Sequence, residues 1–145
     1  MVLIGFDEHI PTEKAENLLT SHNIRFFPAP FQTGTYHFFE IYTPFMQDYG
    51  LCCLGRNNDF LDICVSLLDE PNNAFHLQTK RKFEEDVSFW KRLITDLVNQ
   101  VGHIAVVRYY PEIPPKETVH EIHLSRLNSI SLLHMDMNEP LIVRP

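Results

Sequence analysis

The longest regular signal in the chain lies between Lys80 and Val101. There Phe83, Val87, Trp90, Ile94, Leu97, Val98 and Val101 recur at helical spacing. Leu93 widens the stripe, while Glu84, Glu85, Asp86, Lys91, Arg92 and Asp96 fall largely outside it. The pattern predicts an amphipathic helix over about 80–101, stopped by Gly102, with its Trp90 face turned into a core. A shorter helix is predicted over about 11–22. Pro11 and Thr12 suit its start, Glu13 and Glu16 its first turns, and Ala15, Leu18 and Leu19 form one apolar face. Asn23 suits a left-handed stop.

Around these helices the period shortens to two. Val2–Phe6 is an apolar run of the kind found in buried strands, and Tyr36–Tyr42 is rich in aromatics. Ile24–Phe27 reads as a strand that Pro28 and Pro30 interrupt, which suits a sheet edge. Gly34 marks a turn. Leu51–Leu54 and Phe60–Leu68 are further strands, flanking an Arg56–Asp59 turn. In the second of them Leu61, Ile63, Val65 and Leu67 alternate with Asp62, Cys64 and Ser66. Ile104–Tyr110, Ile130–Met135 and Leu141–Val143 complete the set, the last two separated by a turn at Asn138-Glu139-Pro140. Residues 114–127 fit two patterns. One is a helix opened by Pro115 with Val119, Ile122 and Leu127 inward, toward which the pattern leans; the other is a strand with Thr118, His120 and Ile122 alternating. Strands gathered around one long helix predict an α+β single domain, 1–145: a mostly antiparallel sheet packed against the long helix, with the shorter helix at its flank.

Composition agrees with this and narrows the setting. A length of 145 residues suits one domain, and an apolar share of 44% is ordinary. No stretch approaches the roughly 20 apolar residues of a membrane span. The start, Met1 to Glu8, lacks the basic head and longer apolar core of a secretory signal. Cys52, Cys53 and Cys64 are odd in number and set among Leu51, Leu54, Ile63 and Val65, which predicts reduced, buried thiols and a cytoplasmic protein.

Charge changes the picture more. The formal net charge is −7. Residues 1–75 hold ten acids against Lys14, Arg25 and Arg56, whereas residues 76–145 hold nine of each sign. The whole excess therefore belongs to the first half. Such a field repels phosphate backbones and anionic membranes, so neither nucleic acid nor membrane is an expected partner. It attracts basic proteins and speeds their encounter.

The chemistry-bearing residues offer little catalysis. In a helix, Glu117 and His120 would stand at i, i+3, the spacing of one half of a di-metal carboxylate site, with His123 on the same face. There is no second copy, and in a strand His120 and His123 point to opposite faces. The cysteines lie in apolar, acidic surroundings that raise a thiol's pKa. Glycine-rich phosphate loops and the nucleophile elbow are missing from the sequence. Lys80-Arg81-Lys82 is a small basic patch at the predicted helix start, where it opposes the helix dipole. No cofactor and no catalytic group is expected. Asp48, Asp59, Asp62, Asp69 and Glu70 instead surround Tyr49 and Phe60, a pattern that suits a docking surface for a basic protein.

Phe89–Tyr110, a helix passing into a strand, joins the size, acidity and missing motifs in a profile that resembles the small cytoplasmic immunity proteins of bacterial toxin systems, including contact-dependent growth inhibition. The resemblance implies a stoichiometric inhibitor, favoured as a monomer, that neutralises a basic toxin domain such as a nuclease. Immunity proteins share no common signature, so no residue's role is carried over. Two other classes stay open: a secretion-type chaperone, normally a homodimer with an apolar groove for an effector, and a metal-dependent enzyme using Glu117, His120 and His123.

Overall fold

The unbroken apolar run at the start of the chain forms β1 (Val2–Asp7), a strand buried on both faces in the middle of a sheet. The computed structural model describes residues 1–44, 74–128 and 135–145; the side chains of Gln32, Phe83 and residues 74–80 lie outside that description. After β1 come α1 (Thr12–Ser21), β2 (Arg25–Thr33), β3 (Tyr36–Tyr42), α2 (Ala74–Val101), β4 (Ile104–Arg108), β5 (His120–His123) and β6 (Leu141–Arg144). The fold is α+β: a six-stranded mixed sheet in the order β2-β3-β1-β4-β6-β5, with two helices, one of them long. Four strand pairings are antiparallel, and β5 runs parallel to β6.

Side-chain alternation divides the interior between the two faces of the sheet. Val2, Ile4 and Phe6 of β1 join Phe39, Ile41, Ile104, Val106 and Val143 on one face. There they pack with Ala15 and Leu19 of α1 and with Val87, Trp90, Leu93, Ile94, Leu97 and Val98 of α2. Trp90 is fully buried at the centre of this layer, as its stripe predicts. Leu3, Phe38, Ala105, Val107 and Ile142 form the opposite face, with Phe31 laid over it. The Phe31 ring meets both Phe38 (5.0 Å) and Tyr109 (5.1 Å) edge-on. Tyr109 follows β4, two strands beyond β3 in the sheet order, so the β2 segment curls across the face.

The turns follow backbone chemistry. Asn23 (φ 54°) ends α1 and Gly102 (φ 91°) ends α2, each as the sequence predicts. Gly34 (φ 56°) turns β2 into β3. β2 continues through Pro28 and Pro30 to Thr33, with a register shift between Ala29 and Gln32, and is an edge strand of the described sheet, where proline is tolerated.

Three expectations are corrected. The long helix begins at Ala74 rather than near 80, so Lys80-Arg81-Lys82 lies within it and not at its start. Residues 114–127 do not form a helix: 120–123 is strand β5, followed by one 3₁₀ turn at Leu124–Arg126. Pro114 and Pro115 remove two donors, and pairing with β6 supplies the partners that a helix would have given. Met135 belongs to no strand; the rest of the expected Ile130–Met135 strand lies outside the described residues, as do those at Leu51–Leu54 and Phe60–Leu68. Among the described residues no helix is long and apolar enough to cross a membrane.

Candidate functional site

After β4 the chain crosses the surface as a strap, residues 109–119, before entering β5. Pro111, Pro114 and Pro115 restrict its backbone and deny it three donors. Its anchor is Asn138, fully buried and held at φ 57°, a region asparagine enters more readily than most residues. The Asn138 Oδ1 accepts from the Tyr110 amide (2.7 Å), and Nδ2 donates to the Tyr110 carbonyl (2.8 Å) and to the Ile113 carbonyl. Its own amide donates to the Arg108 carbonyl (2.7 Å), and its carbonyl accepts from the Lys116 amide (3.0 Å). One buried residue thus holds the backbone at 108, 110, 113 and 116. Tyr110, Ile113 and Val119 point outward, 45%, 38% and 47% exposed.

The neighbouring Glu139 is buried, and its carboxylate faces two partners. Lys116 Nζ lies 3.2 Å from Oε2 and His120 Nε2 lies 2.9 Å from Oε1. Withdrawing a carboxylate from water is costly unless such partners are in place. The hydrogen bond to Glu139 holds the Lys116 ammonium above the usual lysine range, and Asp136, 3.6 Å away, adds to it.

This network decides where the metal candidates go. His120 turns to Glu139, whereas the His123 Nδ1 lies against Ser125, 2.7 Å from its Oγ. Glu117 is an exposed residue of the strap. With 120–123 in a strand, the helical spacing that would align Glu117, His120 and His123 does not form. Among the described residues no group of three or more His, Cys, Asp or Glu is placed to hold a metal ion.

A second polar cluster fastens one end of the sheet. The Asp7 Oδ1 accepts from the His9 amide (3.0 Å) and lies 2.7 Å from His9 Nδ1; its Oδ2 accepts from Thr35 Oγ1 (3.1 Å) and lies 3.6 Å from His103 Nε2. The His9 amide, more than any other group, holds the Asp7 carboxyl below its ordinary range. Tyr36 meets His103 edge-on at 5.8 Å, and burial pushes its phenol up. Arg144 donates two hydrogen bonds to Glu121 (2.9 and 3.1 Å), lowering that carboxyl and raising the guanidinium. The carboxylates of this cluster already have internal partners, so the arrangement is a fastening rather than an open pocket.

Asp48, Tyr49, Asp59, Phe60, Asp62, Asp69 and Glu70, the expected partner-binding residues, lie outside the described residues, as do Cys52, Cys53 and Cys64. The chain approaches that stretch from Tyr42, which is paired with Arg25 at the start of β2. Beside them Phe27 is 47% exposed, edge-on to Tyr42 at 5.6 Å, with the Arg25 guanidinium 6.0 Å from its ring centre. The Tyr42 hydroxyl donates to Glu40 (2.7 Å), which raises its pKa.

Sequence patterns did not single out Asn138, Tyr110 or Glu139 as more than turn and strand-end residues. The available signal was three prolines interleaved with Tyr110, Ile113 and Val119; the asparagine that organises the segment lies 28 residues from Tyr110. Compared with protein-family models, with curated proteins and with solved structures, the chain matches none.

Proposed function

We propose that this protein is a stoichiometric inhibitor of the immunity type, a cytoplasmic single domain that binds and neutralises one basic protein, such as a nuclease toxin. The observation that carries the proposal is the charge distribution: ten acids and three bases in residues 1–75, against an even balance in the remainder. An acidic excess carried by one half of the chain favours encounter with a basic partner. The aromatic residues Tyr49 and Phe60 stand in sequence among Asp48, Asp59, Asp62, Asp69 and Glu70 and serve as anchors within that field. Inhibition by occlusion needs shape and charge complementarity and no catalytic group.

The test begins with tagged protein expressed in its source cells and recovered with its bound partner. The partner, purified separately, is assayed for its own activity while this protein is titrated in. The expected result is a basic partner whose activity falls to zero at one equivalent. A recovered partner that is acidic, or one whose activity is unaffected at several equivalents, overturns the proposal.

A further inference from the structure

The large apolar side chains left exposed among the described residues are Met1, Phe27, Tyr110, Ile113 and Val119. Three of the five fall within ten residues of one another along the strap, each turned outward. Apolar side chains presented on one exposed segment suit an interaction surface. The strap is also held still: three prolines restrict it, and Asn138 ties it down at Tyr110, Ile113 and Lys116. A segment already fixed in its bound shape loses little entropy on docking.

Charge identifies the occupant. Lys116, the base within the strap, is turned back onto Glu139 and Asp136. The exposed charges left beside Tyr110 and Ile113 are the carboxylates of Glu112 and Glu117. We infer that the strap is a preformed binding loop, whose Tyr110 and Ile113 enter an apolar-floored cleft of the partner while Glu112 and Glu117 meet its basic rim. A second copy of this chain is a poor occupant, because it would set like-charged straps against each other. The inference rests on the proposed basic partner and adds a second contact surface to the acidic first half. Asn138 is a positioning residue: it touches the strap's backbone and sets the angle at which Tyr110 and Ile113 are presented.

The test uses the full chain with benzoylphenylalanine in place of Ile113, and separately in place of Lys14, an exposed residue of α1. Both are irradiated in extract of the source cells. The partner recovered by wild-type protein is then purified, and its Kd measured for wild type, for Tyr110→Ser/Ile113→Ser and for Asn138→Ala. The double variant changes only exposed side chains and leaves the Asn138 bonds intact. The expected result is an adduct with one basic protein from position 113 and not from position 14, with affinity about 100-fold weaker for the double variant. Asn138→Ala is expected to weaken binding chiefly through faster dissociation. A partner that binds wild type and the double variant equally overturns the strap while leaving the proposed function standing. An adduct of twice the chain's own mass overturns the choice of occupant. Recovery of no basic protein by the wild type overturns both.

Discussion

The Asn138 side chain pairs with both the amide and the carbonyl of Tyr110, at 2.7 and 2.8 Å, as a neighbouring strand would. Truncation to alanine leaves those groups without protein partners, at a cost of about 1–3 kcal/mol. It also places a residue with little tolerance for left-handed backbone at φ 57°, adding about 1–2 kcal/mol. Asn138→Ala should therefore lower unfolding stability by about 3 kcal/mol in chemical denaturation. Asn138→Gly, which accepts the backbone angle, should lose about 1 kcal/mol less. Equal losses for the two would show that the backbone angle contributes nothing.

Gly5 and Phe38 are direct cross-strand partners in β1 and β3, and the Phe38 ring lies where a side chain on Gly5 would stand. A Cβ there would meet ring carbons at 2.5 and 2.8 Å. Overpacking of this kind typically costs about 1–3 kcal/mol. Gly5→Ala should be destabilised within that range, and Phe38→Leu in the Gly5→Ala background should cost less than in wild type. Additive effects in that double-mutant cycle would contradict the contact.

Much of the fold was legible because its elements obey simple periods. The Trp90 stripe, the Ala15–Leu19 face, the Tyr36–Tyr42 strand and the stops at Asn23 and Gly102 follow from local pattern and backbone chemistry. The 120–123 strand was not, because its short run has no decisive period and its identity is set by pairing with β6, about twenty residues away. The Asn138 anchor and the buried Glu139 were hidden for the same reason: Asn-Glu-Pro reads as an exposed turn until Tyr110, Lys116 and His120 are brought to it. The charge imbalance was fully legible, since composition alone defines it.

Asp7 gives the acid limb of stability a predictable sign. Its folded pKa lies below its ordinary value of 3.8, held there first by the His9 amide. The stabilisation is therefore present above about pH 4 and is lost as pH falls through the folded value. Asp7→Asn should be less stable than wild type at pH 6, and the gap should narrow toward pH 2.5 in urea titrations. A gap of constant size across that range would show that the carboxylate's charge is not what fastens His9, Thr35 and His103.

The acidic first half makes its own prediction. In the triple reversal Asp59→Lys, Asp62→Lys and Asp69→Lys, three negative charges become positive at positions chosen from the sequence. If these carboxylates face a partner as proposed, the circular dichroism spectrum of the variant should match wild type, since substitutions away from core contacts usually change stability by less than about 0.5 kcal/mol. A collapsed spectrum would mean that these carboxylates hold the fold rather than face a partner.

The most direct measurement is the association rate constant with the recovered partner, by stopped flow at about 50 mM and about 500 mM salt, conditions that shorten the screening length several-fold. Steering by the acidic half predicts a wild-type rate that falls at least about tenfold between the two, and a triple reversal about tenfold slower at the lower salt. Rates that neither salt nor the reversal changes would contradict an acidic surface that captures a basic partner.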